Sequence, residues 1–172
     1  TYNDGTASQW PVPGGSCLPE EGGTSGTRFA MHTYGDAMTS WGAGVGFGFA
    51  SSGFYDIQSR GYTGIRFDVK RGDLGGPASV WAALQTVHTL ESAQGGDCAS
   101  SCNDHYGAWV SLEDAWRPVT VFFSHMGQRW SGPEAFDLTQ AKDVQFQIAA
   151  GQAFDLWLDE VEFVTEAAPA LP

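Results

Sequence analysis

Two indoles and three carboxamides stand out as residues whose chemistry could be joined. Trp81 and Gln85 are four apart, Gln145 and Gln147 are two apart, and Trp109 falls between the two pairs. An indole presents a broad apolar face with a polar edge, and a carboxamide both donates and accepts hydrogen bonds. Together these groups suit a neutral ligand that carries many hydroxyls on a ring with an apolar face. His105 and Tyr106, adjacent in CNDHYG, could wall such a site. A second chemistry is offered by FDLWLDEVEF near the C-terminus. There Asp155 and Asp159 alternate with apolar residues, and outward carboxylates on a strand invite a cation or a polar ligand.

These residues share a surface only if strands place them there. The apolar positions repeat with period two in eight segments. They are RFAMHTY (28–34), VGFGFA (45–50), GIRFDVK (64–70), VWAALQT (80–86), AWVSL (108–112), RPVTVFF (117–123), VQFQI (144–148) and FDLWLDEVEF (154–163). The Ala-Ala-Leu centre of the fourth could be helical, but its flanking Val, Trp and Thr favour a strand. A short helical turn over Leu138–Lys142 is the one rival to an all-β chain. Without crossover helices a parallel sheet is excluded. Eight antiparallel strands predict a two-sheet β-sandwich of the jelly-roll kind. Jelly-roll connectivity puts the first, eighth, third and sixth strands in one sheet and the second, seventh, fourth and fifth in the other. The outer face of the second sheet then carries Gly44, Gly46, Gly48, Gln145, Gln147, Trp81, Gln85 and Trp109. Glycine weakens a strand, so its repetition in VGFGFA needs a cause. Either a ligand or a tightly packed loop lies against that face.

The 172 residues predict one domain, with an N-terminal arm over 1–27, a sandwich over 28–165 and a linker-like tail over 166–172. Turn signals at Asn3-Asp4-Gly5 and the run Pro11 to Gly15 predict an arm without regular structure, anchored by Trp10. Asp4 and neighbouring carbonyls could supply half of an ion site, with the last strand supplying the rest. The net charge of −12 argues against nucleic acid and anionic membrane surfaces as partners. No apolar run approaches the ~20 residues of a membrane span.

Cys98 and Cys102 lie in one Gly/Ser-rich loop, and a disulfide between them would imply an oxidising compartment. Cys17 is then unpaired or pairs elsewhere. A zinc site on Cys98, Cys102 and His105 is a competing reading that lacks a fourth ligand. A polysaccharide-degrading jelly-roll enzyme, a glycoside hydrolase or lyase, is the competing functional class. It would use Glu91, Asp97, Asp104 and His105 of the 91–106 region, with Glu113 and Asp114 as further acids. No nucleophile elbow, zinc-protease or phosphate-loop motif accompanies them. Arg71-Gly72-Asp73 is too short a pattern to support a cell-adhesion role.

The segments GYTGIRFDVKRG, CASSCNDHYG, WRPVTVFFSHMGQ and FDLWLDEVEF resemble bacterial extracellular galactose-binding-like jelly rolls. They are similar to carbohydrate-binding modules of the calcium-containing β-sandwich type. The resemblance implies a non-catalytic polysaccharide-binding domain. With the uncharged indole and amide face and the expected disulfide, it is expected to be a secreted monomer that binds a plant or microbial polysaccharide of the neutral β-glucan kind. The resemblance also implies a covalent link to a catalytic or surface domain. It implies a structural calcium as well, with Asp159 in the last strand and Asp4 near the N-terminus as ligands.

Overall fold

A computed structural model describes residues 1–24, 26–130 and 135–169. Its strands are β1 (Tyr2–Asn3), β2 (Gln9–Trp10), β3 (Pro19–Glu21), β4 (Phe29–Gly35), β5 (Ala43–Gly48), β6 (Gly64–Arg71), β7 (Ser79–Thr86), β8 (Tyr106–Ser111), β9 (Arg117–Phe122), β10 (Ala141–Ile148) and β11 (Phe154–Val164). Among the described residues helix is confined to single 3₁₀ turns at Val87–Thr89, Ser92–Gln94 and Phe123–His125. The turn expected over Leu138–Lys142 gives way at Ala141, where β10 begins. No helix of the described residues is long and apolar enough to cross a membrane.

The front sheet runs β1-β5-β10-β7-β8 and the back sheet β2-β4-β11-β6-β9, with β3 also on β4. All the pairings are antiparallel. Removing the three arm strands leaves the two four-stranded sheets expected from the sequence, in the expected order. Between them lie Val45, Phe67, Val80, Leu84, Val144, Phe146, Leu156 and Leu158, all buried. These are the inward positions of the period-two pattern.

The arm departs from expectation. It was expected to lack regular structure, yet it crosses from one sheet to the other in three short strands. β1 extends the front sheet opposite Gly44. β2 and β3 pair with two parts of β4 in the back sheet. Pairings of two or three residues fit between its turns, so the Gly and Pro residues interrupt strands without preventing them. Trp10, the expected anchor, is 49% exposed, whereas Gln9 is buried. The Gln9 amide donates to Gly44 O at 3.1 Å, across the sandwich.

The C-terminal strand β11 sits at the centre of the back sheet. Phe154, Leu156 and Leu158 point inward, but the apolar phase then jumps by one residue, to Val161 and Phe163. A β-bulge between Asp159 and Glu162 absorbs the jump, with Glu160 in the left-handed region at φ 49°. Asp155 and Trp157 lie on the outer side, under the arm. His32 Nε2 is 2.7 Å from Asp155 and its Nδ1 is 3.0 Å from Glu20 on β3. The imidazole stacks on Trp157 at 3.9 Å. The Asp155 carboxylate also accepts the Leu74 N–H at 3.0 Å. These side chains hold strands together and leave the outer face of the back sheet without an open site at Asp155.

Candidate functional site

The site grows from β10. Asp143, Gln145 and Gln147 are two residues apart, so all three project from one face of the front sheet. Gln147 lies opposite Gly44 on one side and Trp81 on the other. Gln145 lies opposite Gly46 and Ala83, and Asp143 opposite Gly48 and Gln85. This floor opens into a cleft of about 880 Å³, whose walls include Tyr2, Trp41, His105, Arg129 and Trp130. That is within the ~300–1,000 Å³ range of sites for small ligands.

The polar groups of the floor form one connected network. Hydrogen-bond complementarity turns the Gln85 amide nitrogen toward both Asp143 oxygens, at 3.0 Å. Its oxygen then accepts from His105 Nε2 at 2.9 Å and from the Gln145 amide. His105 Nδ1 is 2.8 Å from the Thr89 hydroxyl. Gln145 Oε1 accepts from Tyr2 Oη at 2.8 Å and from Gln147 Nε2 at 3.1 Å. Arg129 donates to Gln147 Oε1 at 2.7 Å. The side chains are thereby oriented before any ligand arrives, which lowers the ordering cost of binding.

Burial dominates the protonation of the floor. It pushes the Asp143 carboxyl up to about 7. It holds the His105 imidazole down to about 4, with Arg129 acting in the same direction. It also drives the Tyr2 phenol well above its usual range, with Asp143 adding to the shift. Among the described residues lining the cleft, Asp143 is the single carboxylate. A glycosidase cleft needs a pair of carboxyl groups. The acids of the enzymatic reading are engaged elsewhere, Glu113 with Arg117 at 3.5 Å. Asp97 pairs with His88 at 2.8 Å, Glu91 accepts from Asn103 at 2.9 Å, and Asp114 pairs with Arg71. Asp104 binds backbone N–H groups of the 128–130 loop.

The expected site residues separate. Gln85, Gln145, Gln147 and His105 converge in the cleft. Trp81 occupies its expected row but is only 5% exposed, with the Arg129 guanidinium 4.9 Å above its ring. It supports the floor and is not an open platform. Trp109 is 54% exposed, yet it lines a separate shallow groove of about 240 Å³ between β8 and β9. Tyr106 alternates with His105 and Gly107 along the strand, so it faces the core and stacks on Phe136 at 4.2 Å. It does not wall the cleft.

The residues that sequence reasoning missed are Tyr2, Trp41, Arg129, Trp130 and Asp143. Trp41 and Trp130 are 56% and 59% exposed. Asp143 was within reach, since it extends the Gln145–Gln147 series by one more step of two. The others come from the arm and loops, where no period marks a face. The glycines of β5 have two explanations. Gly46 and Gly48 are exposed on the floor. Gly44 is covered by the arm, and a Cβ there would lie 2.4 Å from Tyr2 Oη. Gly44→Ala is therefore expected to dislodge Tyr2 and destabilise the domain by about 1–3 kcal/mol, read as a lowered midpoint in urea.

Cys98 and Cys102 form a disulfide, which closes the zinc reading, and Cys17 is free. Asp4 and Asp159, the residues suggested for calcium, are each held by their own set of donors. Asp4 adjoins β1 in the front sheet, and its carboxylate accepts N–H groups of Thr6, Ser40 and Gly42 at 2.9–3.0 Å. Desolvation opposes them, but these bonds and the Thr6 hydroxyl hold it well below the usual carboxylate range. Asp159 lies on β11 in the back sheet, where it accepts the Thr24 N–H at 3.1 Å and the Thr27 hydroxyl. The arm is thus latched to the last strand by direct hydrogen bonds. Among the described residues no three His, Cys, Asp or Glu side chains converge as a metal site.

No protein-family model matches this chain, and no curated protein matches it. Solved structures do. The family 30 carbohydrate-binding module of a cellulosomal cellulase of Clostridium thermocellum superposes with a TM-score of 0.67 at 13% identity, covering 98% of this chain and 91% of that one. The family 11 module from the same organism, solved in complex with a β-1,3-1,4-mixed-linked tetrasaccharide, gives 0.60 at 13% identity, covering 92% and 88%. A solution structure of a family 11 module gives 0.63 at 14% identity. At such identities the likeness is one of fold, and the fold of this chain is the β-sandwich jelly roll of the carbohydrate-binding modules.

Proposed function

We propose that this domain binds a neutral, linear polysaccharide without cleaving it, with a mixed-linkage β-glucan as the best-matched class. The observation that carries the proposal is the cleft itself, an ordered floor of Gln145, Gln147 and Asp143 walled in part by the exposed indoles of Trp41 and Trp130. Indoles stack on the C–H faces of pyranose rings, and amides exchange hydrogen bonds with ring hydroxyls. Trp41 is backed by Tyr2 at 5.9 Å, and Trp130 by the Arg129 guanidinium at 4.2 Å. Both indoles are therefore braced on one side. A relative in fold holds a β-1,3-1,4-mixed-linked tetrasaccharide, which supports the ligand class.

The local disulfide fits an extracellular setting. In this role the domain is a monomeric targeting unit, bringing a covalently attached enzyme or surface domain to its polysaccharide. Native affinity electrophoresis through gels containing neutral polysaccharides tests the proposal. Retarded migration with no release of reducing ends is the expected result. Release of reducing or unsaturated ends by the pure protein would instead establish an enzyme.

A further inference from the structure

Asp104 is an acid that the binding network does not use, and it is 1% exposed. Its carboxylate accepts the Arg129 N–H through both oxygens at 3.0 Å and the Trp130 N–H at 2.7 Å. Its Oδ1 also stands 3.7 Å from Arg129 Nε. The Asp104 carbonyl accepts the Gln128 side-chain amide at 2.9 Å. One residue thus gathers three consecutive residues of the loop that carries the Trp130 platform. The segment that aims Asp104 inward is itself built. The Cys98–Cys102 disulfide closes it, and Ser101 and Asn103 take left-handed backbone at φ 53° and 69°. Asn103 is tied by its N–H to Thr89 O at 2.9 Å and by its amide to Glu91 at 2.9 Å.

We infer that Asp104 is a positioning residue for polysaccharide binding, holding Arg129 and Trp130 in their cleft-lining places, with the disulfide-closed 98–102 loop as its mount. This inference rests on the proposed function, because it assigns Asp104 a share in the same cleft. Hydrogen bonds from N–H groups to a buried carboxylate are charge-assisted and stronger than neutral ones. An amide in place of the carboxylate offers one acceptor oxygen and turns an NH₂ toward N–H donors. Asp104→Asn should therefore shift the loop and with it the Trp130 indole.

The test is calorimetric titration with a β-1,3-1,4-linked glucotetraose. Asp104→Asn is expected to weaken binding about tenfold, the equivalent of ~1.4 kcal/mol. Trp130→Ala should weaken it at least as much. Adding Asp104→Asn to Trp130→Ala should then cost clearly less than it does in the parent, because Arg129 is the one positioned group that remains. A purely structural role would instead give additive losses, and additivity or parent-like binding by Asp104→Asn overturns the inference. Should that variant fail to fold, Asp104→Glu replaces it. Glu keeps the charge but displaces the acceptor by one methylene, and the same non-additivity is expected. The Cys98→Ser/Cys102→Ser variant, which retains Asp104, should bind less tightly than the parent, and parent-like affinity would remove the disulfide from the device. If the parent itself fails to bind, the proposed function falls first, and the two failures are distinguished.

Discussion

Replacing Asp143 with Asn is expected to stabilise the domain at pH 8 by up to ~4 kcal/mol and to leave it nearly unchanged at pH 4. The sign follows from linkage. In the unfolded chain this carboxyl ionises near 3.8, whereas burial in the cleft floor raises it to about 7 in the folded protein. Between those values the folded state keeps a proton that the unfolded state has lost. Each unit of rising pH in that window therefore favours unfolding by up to ~1.4 kcal/mol. Above the window the full cost is present, and below it the cost vanishes. The amide of Asn mimics the protonated carboxyl and carries no charge to desolvate. His105 works in the opposite sense. Its imidazole protonates near 6.5 when unfolded but only near 4 when folded, so its contribution to stability is lost as pH falls through that interval. The parent's own profile between pH 4 and 6.5 is then partly cancelled. The difference between Asp143→Asn and the parent isolates the carboxyl, and melting curves from pH 4 to pH 9 measure it. A difference that stays constant with pH would contradict the assignment.

Trp81→Ala should cost about 3–5 kcal/mol of folding stability, the range for truncating a buried aromatic. The indole packs edge-on to Trp109 at 5.2 Å and lies under Arg129. A Cβ on Gly107 would come within 2.7 Å of its ring, so the strand opposite has been cut back to admit it. Removing the ring opens a cavity and takes away the seat of Arg129, so binding should fail together with stability. Trp130→Ala should behave differently. Its ring is largely in solvent, and an exposed truncation usually changes stability by no more than about 0.5 kcal/mol. Urea unfolding of the two variants separates the supporting indole from the contacting one. Equal midpoints would mean that the indole of Trp81 is not packed as described.

The contrast between these tryptophans shows where the sequence was legible. Alternation of apolar residues located eight strands and, with jelly-roll connectivity, their order in both sheets, because a half-buried strand must repeat every second residue. The same alternation put Gln85, Gln145 and Gln147 on one face. Alternation does not say what covers a face. Trp81 points to the expected side, yet Arg129 from a loop lies over it, and Tyr2 from the arm lies over Gly44. Such contacts join residues far apart in the chain and leave no local period. Trp41 and Trp130 were invisible as site residues for that reason. The arm was misjudged because two-residue pairings are too short to generate a pattern. The period-two reading ran straight through FDLWLDEVEF to Phe163, but the bulge at Glu160 shifts the phase after Leu158, and an irregular step of that kind leaves no period to read.

In the proposed binding mode Trp41 and Trp130 grip a pyranose chain over the amide floor. Titrating a β-1,3-1,4-linked glucotetraose into the parent, Trp41→Ala and Trp130→Ala measures it directly. The parent should bind saturably. Each variant should lose roughly thirtyfold in affinity, as a hot-spot aromatic worth ~2 kcal/mol would, while its melting temperature stays near the parent's. A parent that does not bind any neutral glucan, or two variants that bind as well as it does, would contradict the claim.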